Sequence, residues 1–220
     1  MSRLLNPAVY EGKFFLSRTP LWQWQINDYA VVMIVWNGLL ALLPVVLGLL
    51  LARSIRTKRP WWEIIPLGIF WILFVPNTAY LIADVRHIIG YCPLTEYGRV
   101  CADNAWMTVF FFVYGVLGWV ALVWGLRPTR SAVTQRWGAN VSLIGTLAAL
   151  PLIALGFLLG LVNRWNSWDV INDPWGVLLS AYQYISNLTY LKNWIIVSVL
   201  LIVLYFVGER LFKTFKWETK

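Results

Sequence analysis

Apolar residues in this chain come in long unbroken runs, without the period-two alternation of a barrel strand. Crossing a hydrocarbon layer as a helix takes roughly 20 such residues. Five windows meet or nearly meet that length: Tyr29 to Ala52, Ile64 to Ala83, Ala105 to Leu126, Ala139 to Val162, and Leu188 to Gly208. Lipid offers the backbone no hydrogen-bond partner, so each window is predicted to be a helix that closes its own bonds. The expected fold class is all-α: a polytopic membrane helix bundle with five transmembrane helices. No linker or internal repeat divides the chain, so residues 1–220 are read as one membrane domain.

Two segments outside these windows carry their own patterns. Residues 1–28 hold no apolar run long enough for a signal peptide or a further span, and "PLWQWQIND" has the aromatic and polar mixture of a segment lying at the membrane surface. Residues 173–187 open with a capping Asp173 and with Pro174 at the first helical position, and place Trp175, Leu178, Leu179 and Tyr182 on one face. That spacing predicts a short helix in the interface. A sixth membrane segment here would move the C-terminus outside, against its basic residues.

Charge then orients the bundle. Arg53, Arg56, Lys58 and Arg59 follow the first window; Arg127, Arg130 and Arg136 follow the third; Arg210, Lys213, Lys216 and Lys220 occupy the tail. The opposite side carries Arg3, Lys13, Arg18, Arg86, Arg99, Arg164 and Lys192, spread over longer segments. Basic residues collect in the cytoplasm, which predicts an N-terminus outside and a C-terminus inside. Composition agrees with a membrane protein and excludes an ordinary soluble domain: 60% hydrophobic, 13% charged, 15 tryptophans. The net charge of +8 reads as anchoring to anionic lipid headgroups, so membrane lipids are the expected partners and nucleic acid is not.

Polar residues gather at one level. At about 1.5 Å per residue, Asn77 stands roughly 20 Å above Ile64 and Asp84 about 30 Å, while Arg164 emerges about 38 Å above Ala139. Asp103 and Asn104 begin the third window at a similar height. Asn77, Tyr80, Asp84 and His87 recur at helical spacing and share a face. Pro76 removes a hydrogen bond and bends that helix, freeing a carbonyl that the Asn77 side chain or a water would satisfy. In "RWNSWD", a continuing helix would pair Trp165 with Trp168 and Asn166 with Asp169.

The stretches "WNGLLALLP" (Trp36 to Pro44), "FVPNTAYLIADVRH" (Phe74 to His87) and "RWNSWD" (Arg164 to Asp169) resemble the signature segments of a bacterial integral membrane protein family, domain-of-unknown-function family 1361. The resemblance runs from about Trp36 to Asp169. It implies a bacterial inner (cytoplasmic) membrane location and brings no catalytic residue or mechanism with it.

The candidate chemistry has competing readings. Asp84, His87, Asp103 and Asp169 offer the oxygens and imidazole of a divalent-metal site, but no H-E-x-x-H pattern accompanies them. Ion pairs of Asp84 with Arg86 or Arg164 account for the same residues. His87 as a general base would need orienting by Asp84, one turn earlier. Arg164, Trp165, Asn166, Trp168 and Asp169 have the chemistry of a sugar or headgroup site, and equally of an aromatic belt with local polar pairing. Asn37 in the first window suits an interhelical hydrogen bond. Cys92 and Cys101 would close their loop with a disulfide in an oxidising compartment, or stand as free thiols. No cofactor is indicated.

The leading expectation is an outer-side polar pocket of Asn77, Tyr80, Asp84, His87, Asp103, Arg164, Asn166 and Asp169, binding a lipid headgroup or small polar ligand in an assembly or scaffold role. One alternative is a lipid- or glycan-modifying hydrolase or transferase using Asp84 and His87. Another is a transporter, which the charge-free inner two-thirds of the windows disfavour.

Overall fold

The computed structural model describes residues 20–26, 29–88, 94–95, 98–99 and 105–212. Five helices among them are long and apolar enough to cross a membrane: Val31–Arg56, Trp61–His87, Ala105–Trp137, Ala139–Leu161 and Leu188–Phe212. The chain is an all-α polytopic bundle, with two-residue antiparallel ladders at Gln25–Ile26 with Tyr29–Ala30 and at Leu94–Thr95 with Gly98–Arg99. The third span is the most buried and packs against the other four. Its Leu122 and Val123 share one core with Trp71 and Val75 of the second span, Leu150 and Ile153 of the fourth, and Tyr205 of the fifth.

With lipid on the outside, packing rather than water exclusion holds such helices together, so small residues mark the closest approaches. A Cβ on Gly48 would lie 2.4 Å from the Gly125 carbonyl oxygen of the third span. Tryptophans bond the same contacts without charge. The indole N–H of Trp71 donates to Gly125 O (3.0 Å), Trp119 to Leu204 O (2.8 Å) and Trp194 to Pro151 O (2.8 Å).

The third connection departs from expectation. "RPTRSAVTQR" is no loop but a continuation of the third span to Trp137, with Pro128 inside the helix. Its basic side chains are held by the protein: Arg127 donates to Phe212 O (2.9 Å), Arg130 pairs with Glu209, and Arg136 reaches Ile55 O (3.3 Å) and stands over the Trp61 and Trp137 rings. These bonds replace hydration and keep the helix wound beyond the apolar window. The chain then reverses at Gly138, whose φ of 95° suits glycine and few other residues.

The segment after Asp173 forms a helix over Pro174–Ser186, and the Asp173 carboxylate accepts from Gly176 N (2.9 Å) as its cap. Val177, Ala181 and the buried Tyr184 pack on Leu158 and Leu159 of the fourth span. Trp175, Leu178, Leu179 and Tyr182 face away from the bundle, each more than half exposed. Asn187 caps the fifth span by accepting from Thr189 N (2.9 Å).

Candidate functional site

The site begins with a broken helix. The second span is α-helical over Trp61–Phe74, interrupted at Val75, and α-helical again over Pro76–Ala83. Pro76 brings no N–H, so carbonyls in the preceding turn lack helical donors in a medium that supplies none. Side chains take over. Asn77 Nδ2 donates to Phe74 O (3.0 Å) and to Ser167 Oγ (3.1 Å), and Ser167 Oγ donates to Leu73 O (2.8 Å). Ser167 belongs to "RWNSWD", so the proline break is where that loop is stitched to the second span. Gly156 lets the fourth span approach, because a Cβ there would meet the Pro76 ring at 2.6 Å.

One turn further out stands Tyr80. Its hydroxyl oxygen accepts from Arg86 Nη2 (2.7 Å) and from Arg164 Nη1 (3.4 Å), and the Arg86 guanidinium also lies 5.2 Å from the Tyr80 ring centre. Arg164 reaches Tyr80 from a left-handed backbone, φ 62°, as the chain turns out of the fourth span. After it, Trp165 Nε1 donates to Ser180 Oγ of the following helix (2.9 Å), and Asp169 Oδ2 accepts from Asn166 N (2.8 Å) and Nδ2 (3.2 Å).

Helix does not continue through this loop, which corrects the expected tryptophan pairing. Leu161 ends the fourth span, and between it and Asp173 only Asp169–Asn172 is helical. Trp165 is turned toward Ser180, while Trp168 packs edge-on against Trp36 of the first span, ring centres 6.4 Å apart. Asn166 and Asp169 do meet, as a closed turn.

Asp84 and His87 stand apart from this group. Residues Asp84–His87 wind as a 3₁₀ turn, so His87 follows Asp84 by about one full turn instead of about 300°. Asp84 is fully buried; its Oδ2 accepts from Asn37 Nδ2 of the first span at 3.4 Å. Its Oδ1 lies 3.7 Å from His87 Nε2 and has no hydrogen-bond partner among the described residues. The His87 ring stacks on Phe111 of the third span, centres 5.7 Å apart. The side chain beside the second Asp84 oxygen is therefore the His87 imidazole, which pairs with it as an ion only when protonated, and not Arg86 or Arg164.

A cavity of about 320 Å³ opens between the first, second and fourth spans. Asn37, Asn77, Tyr80, Arg164, Asn166 and Ser167 form its polar wall; Leu40, Ile72, Leu152, Leu155 and Phe157 continue it as apolar surface. Trp36 and Trp165 also line it. Of the residues expected to bind a ligand, Asn77, Tyr80, Arg164, Trp165 and Asn166 line this cavity, whereas Asp84, His87, Trp168 and Asp169 do not. Asn37 joins the two groups, since it faces the cavity and holds the Asp84 carboxylate. Asp103, Cys92 and Cys101 lie outside the described residues. No three of His, Cys, Asp or Glu come together among the described residues; Asp84 and His87 are adjacent, and Asp169 is engaged with Asn166.

Sequence reasoning missed Ser167 and the wall role of Asn37. The signal for Ser167 was the proline itself, which creates acceptors that some distant hydroxyl has to meet.

Five lipid-length apolar helices around a shared core define an integral membrane protein of the polytopic α-helical class. The chain matches the family described as protein of unknown function (DUF1361) over residues 36–207, and it belongs to that family. The matched range begins at Trp36 on the cavity wall and extends past "RWNSWD" into the fifth span. No curated protein and no solved structure matches the chain.

Proposed function

We propose that this protein binds an amphiphile, a membrane lipid or a molecule built like one, with its polar group among Tyr80, Arg164 and Asn166 and its apolar part along Leu152, Leu155 and Phe157. One observation carries the reading: a single cavity of about 320 Å³ runs from polar to apolar walls between three spans. Ligand sites commonly combine an apolar lining with a few placed polar groups, and this one lies at the ends of the spans, where headgroups sit. The role is one of holding a lipid in assembly or scaffolding. The hydrolase or transferase reading draws less support, because neither Asp84 nor His87 lines the cavity.

The orientation that fits the basic residues places the cavity on the outer side of a bacterial cytoplasmic membrane, with the C-terminus inside. The test is photocrosslinking in nanodiscs with lipids carrying a diazirine on the acyl chain. Peptide mapping is expected to find label on Leu152, Leu155 or Phe157. Label spread evenly over the lipid-facing sides of all five spans would overturn the reading.

A further inference from the structure

We infer that the ligand's polar group is a set of uncharged hydroxyls, as a sugar or glycerol headgroup carries, an assignment that rests on the amphiphile-binding reading above. The structural fact behind it is how three asparagines on the cavity wall, Asn37, Asn77 and Asn166, spend their amides. Each turns its nitrogen onto the protein. Asn77 Nδ2 donates to Phe74 O and Ser167 Oγ, Asn37 Nδ2 to Asp84 Oδ2, and Asn166 Nδ2 to Asp169 Oδ2. A backbone carbonyl and a carboxylate only accept, so these partners fix which end of each amide is the nitrogen.

The three Oδ1 oxygens are left with no donor among the described residues. They are not sealed in. Among the described residues, the buried side-chain oxygens without a bond are Asp84 Oδ1 and Tyr205 Oη. Oδ1 of the half-buried Asn37 and Asn77 therefore adjoins space that a water-sized group can enter, and Asn166 is exposed. The space that all three residues border is the cavity.

An acceptor at the edge of a bilayer costs free energy unless a donor reaches it. An ionised phosphate or carboxylate brings acceptors only and would set its lone pairs against these oxygens. An ammonium brings donors only, and would stand beside the Arg164 guanidinium on the same wall. Hydroxyls do both. They give protons to the amide oxygens and accept from the second N–H of Asn37 and of Asn166, and from the Tyr80 O–H, whose oxygen already accepts from Arg86 and Arg164.

The tryptophans suit the same ligand. Trp165 commits its N–H to Ser180, so what it shows the cavity is ring surface, and Trp36 adds a second indole to the wall. The apolar body of an indole packs against the C–H face of a sugar ring while hydroxyls at the rim reach the amides.

The probes are two diazirine-tailed diacylglycerols in nanodiscs, one with a glucosyl head and one with an unsubstituted tetrahydropyran head, which share tails and ring and differ in the hydroxyls. Wild-type protein is expected to label at the cavity about tenfold more with the glucosyl lipid, as one or two neutral hydrogen bonds would give. Asn166→Ala, which keeps the backbone bond to Asp169, and Asn37→Leu are each expected to lower that preference about threefold while leaving tetrahydropyran-lipid labelling in place. Should Asn37→Leu fail to fold, Asn166→Ala carries the comparison. A preference unchanged in the folded variants overturns the assignment to the amide oxygens. Equal labelling in wild type, with no competition from free methyl glucoside, overturns the hydroxyl assignment and leaves the amphiphile reading standing. Equal labelling that methyl glucoside nevertheless blocks supports a hydroxyl site supplied from solution and overturns the lipid source. Absence of cavity label with either probe overturns the amphiphile reading itself.

Discussion

Asn37 of the first span and Asp84 of the second meet at 3.4 Å, amide to carboxylate, and Asp84 has no exposed surface. Removing one partner strands the other in a medium of low dielectric, whereas replacing both removes the need for either. Asn37→Leu alone is expected to cost about 1–3 kcal/mol. Adding Asp84→Leu is expected to recover part of that loss. Reversible unfolding in mixed micelles measures all four members of the cycle; strictly additive changes would mean that the contact contributes nothing.

Arg164 holds a left-handed backbone, φ 62°. Glycine at this position relaxes the left-handed backbone, so Arg164→Gly is expected to be more stable than Arg164→Ala by about 1 kcal/mol. Thermal unfolding of the two variants decides it, and an alanine variant at least as stable as the glycine one would show that the strain is absent.

Glycines in this bundle differ in kind. A methyl on Gly48 runs into the Gly125 carbonyl oxygen at 2.4 Å and Trp71 Nε1 at 3.1 Å, while one on Gly68 or Gly145 meets nothing within 4 Å. Gly48→Ala is therefore expected to cost about 1–3 kcal/mol by overpacking. Gly68→Ala and Gly145→Ala are expected to be neutral or to gain up to about 1 kcal/mol of helix propensity. Loss of monodisperse protein on size exclusion should follow the first and not the other two.

Tyr184 ties the Pro174–Ser186 helix to the bundle by donating to Asn163 Oδ1 at 3.1 Å. Burial, and secondarily the neighbouring Tyr190 phenol, push its pKa up to about 12. The folded protein thus keeps this proton at pH values where an unfolded tyrosine, near 10, begins to lose it. The stability linked to the phenol is fully present below about pH 10 and declines as pH rises toward 12. Hydrogen exchange across residues 174–186 is expected to quicken over that window, and Tyr184→Phe should flatten the trend. An equally steep rise in the phenylalanine variant would place the titration elsewhere.

Topology has a direct assay. In a background with Cys92 and Cys101 replaced, a cysteine at Asn166 is expected to react with an impermeant maleimide from outside intact cells, and a cysteine at Lys58 only after lysis. The reverse pattern would move the cavity to the cytoplasmic face.

The bundle was legible because its cause is local: an apolar run of sufficient length has to be a helix in lipid wherever it later packs. The windows therefore agree with the spans to within a few residues, except where "RPTRSAVTQR" stays helical. There the arginines find Phe212 O, Glu209 and Ile55 O on other spans, partners that no local pattern announces. The caps Asp173 and Asn187 are local too, and Asp173 with Pro174 could be read in advance.

The candidate site was legible only in part. Heights along helices placed Asn77, Tyr80, Asp84, His87 and Arg164 near one level, because rise per residue is nearly constant. Angular position is less secure. Asp84 and His87 meet Asn37 and Phe111 instead of the cavity, which splits one expected pocket into a cavity and a separate contact beside it.

Residue order alone thus determined the helical class and the number of helices long enough to span a membrane, since hydrophobic length and helical rise depend on near neighbours. Only the tertiary structure decided that Ser167 repairs the break at Pro76, that Arg86 and Arg164 share Tyr80, and that Asn37 holds Asp84. Each of those contacts joins residues 6 to 94 positions apart. Their geometry depends on how whole helices rotate and pack against one another, which no single stretch encodes.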